Sequence, residues 1–264
     1  MSAADDPTRR VRREPPRWRQ VSVAGVEPRS PRLVRVTFTG PELTGFTVDA
    51  PAASVRLLLP SPGRTELVVP EWNGNEFLLP DGTRPVLRTF TPLRAAGGGL
   101  AIDVVQHPSG VAAAWAAAAT PDTPAAVSGP GRGYPVDPAA PAYLLAGDES
   151  AIPAVGQLLE VVPGSVPVEV HLEVDHPDAA VALPDPPGAT VTWHVRSPDA
   201  RPGDALLAAV SAADLPPGIR VWVAGEAAGV QRIRQLLFAE RGVPRAHASV
   251  RGYWKHGRSG GDDG

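Results

Sequence analysis

Arg88-Thr89-Phe90-Thr91-Pro92-Leu93-Arg94 is the stretch on which the reading of this chain turns. It follows a turn-forming segment, Asp81-Gly82-Thr83-Arg84-Pro85, and reads as a short strand stopped by a proline. Its residue types suit a flavin nucleotide. An arginine presents a rigid fork of donors to a diphosphate. An aromatic ring such as Phe90 fits against an isoalloxazine, and the hydroxyls of Thr89 and Thr91 suit the polar edge of the ring or the ribityl chain. The same residues also suit an ordinary strand of a β-barrel, so the rest of the chain must decide.

Around this strand, from Val21 to Val127, short β-forming runs are broken by proline and glycine. Val21–Val23, Leu33–Thr39, Val55–Leu59, Leu67–Val69, Val86–Thr91 and Leu100–Val105 are the expected strands. Val34, Val36 and Phe38 alternate with Arg35 and Thr37, the period of a half-buried strand. About six such strands with tight turns predict a small antiparallel barrel, interrupted by an alanine-rich helix over Val111–Ala119. Pro135-Val136-Asp137-Pro138-Ala139-Ala140-Pro141 reads as a linker. Beyond it strands and helices alternate. Strands are expected at Tyr143–Ala146, Val168–Val174, Val191–Val195 and Val221–Ala224, and helices at Ile152–Val162, Asp204–Ala212 and Ala227–Arg241, the last stopped by Gly242. That rhythm predicts a parallel sheet with helical crossovers, whose ligands sit beyond the carboxyl ends of the strands.

The composition removes several chemistries. The 264 residues contain no cysteine, which excludes disulfides, thiol nucleophiles and cysteine-held zinc or iron–sulfur centres. Electron transfer would need a bound organic cofactor. A net charge of −3 gives no general attraction to nucleic acid. No apolar run approaches the length of a transmembrane helix, so no stable membrane association is expected. Residues 1–16, with several arginines and prolines, and residues 258–264 are expected to be disordered tails.

Several segments carry candidate chemistry. Gly110, Val111, Ala112, Ala113 and Trp115 open the alanine-rich helix, and free N–H groups beside small side chains admit a phosphate; a plain surface helix is the alternative. In Gly129-Pro130-Gly131-Arg132-Gly133, a flexible loop, Arg132 either faces an acceptor or lies in a simple turn. Gly147-Asp148-Glu149-Ser150 opens the first helix of the parallel-sheet half, where its acidic residues cap the helix or approach the nicotinamide and ribose of a dinucleotide. Gly225 and Glu226 repeat the arrangement after a later strand. The chain lacks G-x-G-x-x-G. Arg196 with Ser197 would pair with a 2′-phosphate, or Arg196 is merely solvent-exposed; Glu173 and Asp175 would suit a free ribose hydroxyl. NADPH and NADH therefore both remain open. His171, Asp175 and His176 lie along a strand end, where i and i+4 do not converge, so no metal site is expected.

Two further stretches extend the pattern: Asp103-Val104-Val105-Gln106-His107-Pro108-Ser109-Gly110-Val111-Ala112-Ala113-Ala114-Trp115-Ala116 and Val250-Arg251-Gly252-Tyr253-Trp254-Lys255-His256-Gly257. With Arg88–Thr91 and Gly147–Ser150 in the same order, the chain resembles the siderophore-interacting protein family from about Arg17 to Gly257. The resemblance implies a ferredoxin-reductase-like fold: an antiparallel FAD-binding barrel over 17–138 and an α/β NAD(P)H-binding domain over 139–257. It implies FAD contacts from Arg88–Thr91, Asp103, Val105, His107, the Gly110–Ala113 segment with Ser109, and Trp115. It places Tyr253 and Trp254 beside the flavin and Gly147–Ser150 at the nicotinamide. It further implies a cytoplasmic enzyme that reduces a ferric siderophore, with no side chain acting as acid or base. The donor would be NADPH, NADH or a ferredoxin, and Arg132, Lys255 and Arg258 would form a basic rim for an anionic chelate. A general flavin reductase with another acceptor and a non-catalytic flavin- or siderophore-binding module are the rival expectations.

Overall fold

The computed structural model describes residues 17–107 and 110–257. Its N-terminal part comprises β1 (Trp18–Ser30), β2 (Leu33–Thr39), β3 (Val55–Leu59), β4 (Glu71–Trp72), β5 (Phe77–Leu78), β6 (Val86–Phe90), β7 (Leu93–Arg94), β8 (Leu100–Val105), α1 (Val111–Ala118) and β9 (Pro124–Ser128). Apart from the separate β4–β5 hairpin, the strands form one antiparallel sheet in the order β6-β3-β9-β1-β2-β8-β7. Its two edge strands, β6 and β7, are consecutive in the chain and separated only by Thr91 and Pro92. The sheet therefore curls back on itself as a barrel. The alternation in β2 holds: Val36 and Phe38 are both 0% exposed, packed with Leu57, Ile102 and Val127 in the barrel core.

Three local expectations are corrected. Leu67–Val69 forms no strand; it lies in a loop rich in proline, and no partner strand is paired to it. Val21–Val23 is a fragment of the 13-residue β1, which bends through register shifts at Val23/Gly25 and Pro28/Ser30. The Gly129–Gly133 loop is pinned, because Gly131 N–H donates to Ser54 O at 2.6 Å, and a Cβ on Gly133 would lie 2.5 Å from that of Ala50.

The C-terminal part comprises β10 (Tyr143–Asp148), α2 (Ile152–Val161), β11 (Val168–Val174), β12 (Ala189–Val195), α3 (Asp204–Ala212), β13 (Arg220–Glu226), α4 (Ala227–Gln235) and β14 (Ala248–Trp254). The five strands are all parallel, in the order β12-β11-β10-β13-β14. Strand order reverses between β10 and β13, and the crevice at their carboxyl ends is the place where such sheets receive ligands. Both central strands are buried along almost their whole length, as expected under helices on both faces. The helix expected over Ala227–Arg241 ends its α-geometry at Gln235 and continues as a π-turn over Leu236–Glu240, with Arg241 N–H donating to Leu236 O at 2.9 Å. Gly242, at φ 67°, then stops it.

Side chains stitch the two sheets together. Gln157 on α2 donates to Pro92 O at 2.7 Å and accepts from Ala52 N–H at 2.9 Å. Arg220, on β13, ties down the stretch that connects the sheets by pairing with Asp137 at 2.6 Å. Among the described residues, no helix is long and apolar enough to cross a membrane.

Candidate functional site

The strand that opened the sequence reading is β6. Arg88 sits opposite Leu57 on it, with one Nη donating to Leu87 O at 2.7 Å. Burial pulls its pKa down. Among the described residues, no carboxylate pairs with Arg88. A half-buried guanidinium without a counter-charge is costly unless an anion joins it. Thr89 is exposed, and Phe90 packs partly against the barrel core. Thr91 is buried and lies near enough to the Tyr253 hydroxyl to pull its pKa down against the larger push of burial. The end of β6 in the barrel thus comes near β14 of the parallel sheet. Burial pushes the Tyr253 hydroxyl up, yet Tyr253 as a residue remains 37% exposed and Trp254 40%.

The end of β8 leads to the start of α1. Val105 is half-buried and His107 exposed. The His107 ring lies over Gly110, where a Cβ would come within 2.3 Å of Nε2. Gly110 caps α1 without a side-chain bond, leaving N–H groups of Val111, Ala112 and Ala113 at the first turn. Trp115 stacks on Phe38 at 6.2 Å, and its buried Nε1 finds no partner. Asp103 is held by Arg35 at 2.7 and 2.8 Å, a pair that raises the Arg35 pKa. Arg35 and Asp103 line a cleft of about 600 Å³ between the barrel and α2, with Arg94, Gln157, Glu160 and Leu183. Arg88 and Tyr253 are not among its walls, so Asp103 stands apart from the other expected contacts. Ser109 and Arg258 fall outside the described residues.

At the switch point the acidic residues are occupied. Asp148 is buried; one oxygen accepts from Ser150 N–H at 3.0 Å and Ser150 Oγ at 2.5 Å. Its other oxygen accepts from Glu226 N–H at 2.8 Å and from Trp254 Nε1 at 2.7 Å. Burial pushes the Asp148 carboxyl up, against the pull of these donors. Gly225, at φ 152°, passes so close that a Cβ would lie 2.6 Å from Asp148 Oδ2. Gly147 is equally confined, since a Cβ there would lie 2.4 Å from that of Ala151. Glu226 caps α4 through Gly229 N–H at 2.8 Å and accepts from His256 N–H at 3.1 Å. Asp148 and Glu226 thus both cap the neighbouring helix turn, as the sequence allows, and anchor the segment that carries Tyr253 and Trp254.

Glu149 is joined to the barrel. Arg32, on the β1–β2 turn, donates to both of its oxygens at 2.8 and 2.9 Å and to Asp175 Oδ2 at 2.8 Å. Burial pushes the Glu149 carboxyl up, opposed by Asp175 N–H and Arg32. Arg196 also turns to Asp175, Nε at 2.8 Å and Nη at 2.6 Å from Oδ1, and donates to Ala200 O at 3.0 Å. It is ion-paired and mostly covered, not the solvent-exposed arginine of the alternative reading; Ser197 beside it is exposed. Glu173 is not available to a ribose, since it is buried and accepts from Gly203 N–H at 2.7 Å and Ala205 N–H at 3.1 Å, capping α3. Sequence reasoning missed Arg32: an arginine in a hairpin turn carries no local signal, and its partners lie 117 and 143 residues away.

Among the described residues, no three His, Cys, Asp or Glu side chains are placed to hold a metal ion. His171 instead pairs with His194 at 3.1 Å and with Glu169 at 2.9 Å. Burial, then His171, pulls the His194 pKa down. A folded state that prefers neutral His194 has that stabilisation in full above the ordinary histidine pKa of about 6.5 and loses it as pH falls through and below that value. His194→Gln should therefore flatten the fall in Tm between about pH 7.5 and 5.5; a fall as steep as the parent's would show the pair to be without consequence for stability.

Arg132 on the pinned loop and Lys255 after β14 are both exposed. Of the residues expected at the cofactor, Thr91 lies near Tyr253 and His107 lies on Gly110 at the start of α1. The comparisons with known proteins follow the same division. Residues 22–134 match the model of the siderophore-interacting FAD-binding domain, and residues 140–257 that of siderophore-interacting protein. Ferric vibriobactin reductase ViuB of Vibrio cholerae is 32% identical over 237 residues, covering 87% of this chain and 86% of that protein. A siderophore utilization protein from T. fusca superposes with a TM-score of 0.81 at 34% identity, covering 92% of this chain and 94% of that one. The ferredoxin reductase of carbazole 1,9a-dioxygenase superposes at 0.62 with 16% identity over 91% of this chain and 70% of its own, a likeness of fold alone.

Proposed function

The chain belongs to the siderophore-interacting protein family, and from that premise we propose that it is a cytoplasmic, FAD-dependent NAD(P)H:ferric-siderophore oxidoreductase. Residues 17–138 and 139–257 are its cofactor and donor units. The observation that carries the reading is the half-buried Arg88, without a carboxylate partner among the described residues, on the strand that leads into Thr91 beside Tyr253. Those residues fit FAD: a cation for its diphosphate, small-residue N–H groups at the start of α1, and aromatic rings for its isoalloxazine. FAD supplies, when bound, the two-electron to one-electron conversion that no side chain of a cysteine-free chain can perform.

The protein's own part is placement. Arg88 and the first turn of α1 grip the diphosphate, with His107 and Val105 along the path. Thr91 orients Tyr253, and Asp148 orients Trp254, so that the rings cover the ring system and keep water from it. Gly147 and Gly225 let the switch-point turns pack tightly on Ala151 and Asp148, and the nicotinamide of NADPH or NADH approaches these turns beside Ser150; a ferredoxin is the alternative donor. Arg132, Lys255 and Arg258 are the rim that draws in an anionic ferric chelate. Iron reduced to Fe(II) is held weakly by hard oxygen ligands and leaves.

The test is spectroscopic. The purified protein should be yellow and bleach under anaerobic NADPH or NADH; a non-catalytic carrier would not bleach. Mixing the bleached protein with an anionic ferric siderophore in stopped flow should restore colour, more slowly as salt rises, because screening acts over about 10 Å at 0.1 M. Neutral chelates should show no salt dependence. Recolouring by quinones or oxygen but by no ferric chelate would make the protein a general flavin reductase.

A further inference from the structure

At the carboxyl ends of β11 and β12 an arginine, a carboxylate and a second arginine are stacked across the two halves of the molecule. Asp175 directly follows β11, and Arg196 directly follows β12. Arg32 arrives from the barrel. Asp175 Oδ1 takes two contacts from Arg196, at 2.6 and 2.8 Å, and Oδ2 takes one from Arg32 at 2.8 Å. The Asp175 side chain is still 35% exposed, and Oδ2, with one contact, keeps a lone pair unused. Glu149 completes the group, and its four charges cancel.

In sheets of this topology the end of the strand next to the switch-point strand receives the adenosine ribose. A carboxylate there takes the ribose hydroxyls, and an arginine takes a 2′-phosphate. Both residue types are present here, but the arginines are spent on Asp175. A 2′-phosphate would bring about two negative charges against Asp175 and Glu149. It would also have to displace Asp175 from two charge-assisted partners. A neutral ribose diol displaces nothing and donates to the open lone pair of Oδ2.

We propose that Asp175, clasped between Arg32 and Arg196, is the adenosine-ribose contact of a dinucleotide with a free 2′-hydroxyl and the residue that turns away a 2′-phosphate. This rests on the nicotinamide-donor reading above and specifies it. Arg32 makes the choice a joint property of both halves: it is a positioning residue that holds the carboxylate from the barrel side.

The experiment is calorimetric titration of the flavin-loaded protein with ADP-ribose and with 2′-phospho-ADP-ribose. The parent should bind ADP-ribose at least about ten-fold more tightly. Asp175→Ser, which frees the Nε and one Nη of Arg196 and one Nη of Arg32 while Glu149 still holds the Arg32 Nε, should reverse the order, and Asp175→Asn should move it the same way with less disturbance of the fold. Arg32→Ala placed on Asp175→Ser should reduce the acquired affinity for the phosphorylated compound. Equal binding of both compounds by the parent, tighter binding of the phosphorylated one, or an unchanged ratio in both Asp175 variants overturns the proposal, as does binding of neither compound. Anaerobic bleaching by NADH reports separately on the donor reading. If bleaching occurs while ADP-ribose fails to bind, this inference falls and the donor stands; if ADP-ribose binds with the predicted preference and no bleaching occurs, the donor reading falls and the subsite stands.

Discussion

Purified Arg88→Ala protein should emerge from gel filtration nearly colourless, holding FAD about ten-fold or more weakly than the parent chain. Arg88 is half-buried, its pKa is pulled down by desolvation, and no carboxylate among the described residues balances it. Its stabilisation has to come from a ligand anion, and one hydrogen bond to a charged group contributes about 1.5–3 kcal/mol. The same removal should leave the apo fold intact or slightly more stable, because an unpaired buried charge disappears with it. Arg88→Lys keeps the charge and loses the fork, so it should fall between the two. Measuring the FAD dissociation constant by fluorescence decides the matter: affinity equal to the parent's in the alanine variant removes Arg88 from the cofactor site.

Asp148→Ala should be the most damaging single change in the parallel-sheet half. It removes the acceptor for Glu226 N–H, Trp254 Nε1 and the Ser150 donors together. Each buried donor left alone costs about 1–3 kcal/mol, partly offset because several of them regain water and the desolvated carboxylate is gone, which gives a loss of about 2–4 kcal/mol and a fall in Tm of roughly 5–15 °C. The effect should reach the flavin spectrum as well, since Trp254 loses its anchor. Asp148→Asn preserves size but turns an amide N–H toward one of these donors, so it should fall in the same direction and less far. Differential scanning calorimetry of both variants is sufficient; a Tm for Asp148→Ala within about 1 °C of the parent would mean the carboxylate contributes nothing.

The fold was legible where a single segment carries its own period. Val34, Val36 and Phe38 mark β2 by alternation, and the apolar Val221–Ala224 marks the buried centre of β13. β9 was not anticipated, although it lies between β1 and β3, because Pro124-Ala125-Ala126-Val127-Ser128 neither alternates nor contains bulky β-formers. Its place is set by pairing with Trp18–Ser22 and Arg56–Leu58, far away in sequence. The π-turn at Leu236–Glu240 was hidden for the opposite reason: its residues are good helix formers, and only the backbone bonds distinguish it. At the site, sequence identified which residue types gather at each strand end. It did not show that Asp148, Glu226 and Arg196 are already engaged, because their partners Trp254, His256 and Asp175 come together only when the strands do.

The bridges between the two sheets also act as a recombination filter. Gln157 reaches Pro92 and Ala52, Arg32 reaches Glu149 and Asp175, and Arg220 reaches Asp137. A chimaera that joins one relative's barrel to another's parallel sheet within the Pro135–Pro141 stretch would meet these pairs as compatibility rules. An uncharged residue at position 32 would strand the Glu149 carboxylate against the foreign barrel, however well each half folded by itself. Successful hybrids must therefore inherit positions 32, 149 and 175 as one unit and keep a residue at 157 able to reach the backbone of 52 and 92, so shuffling outcomes should track these positions more closely than the identity of either half.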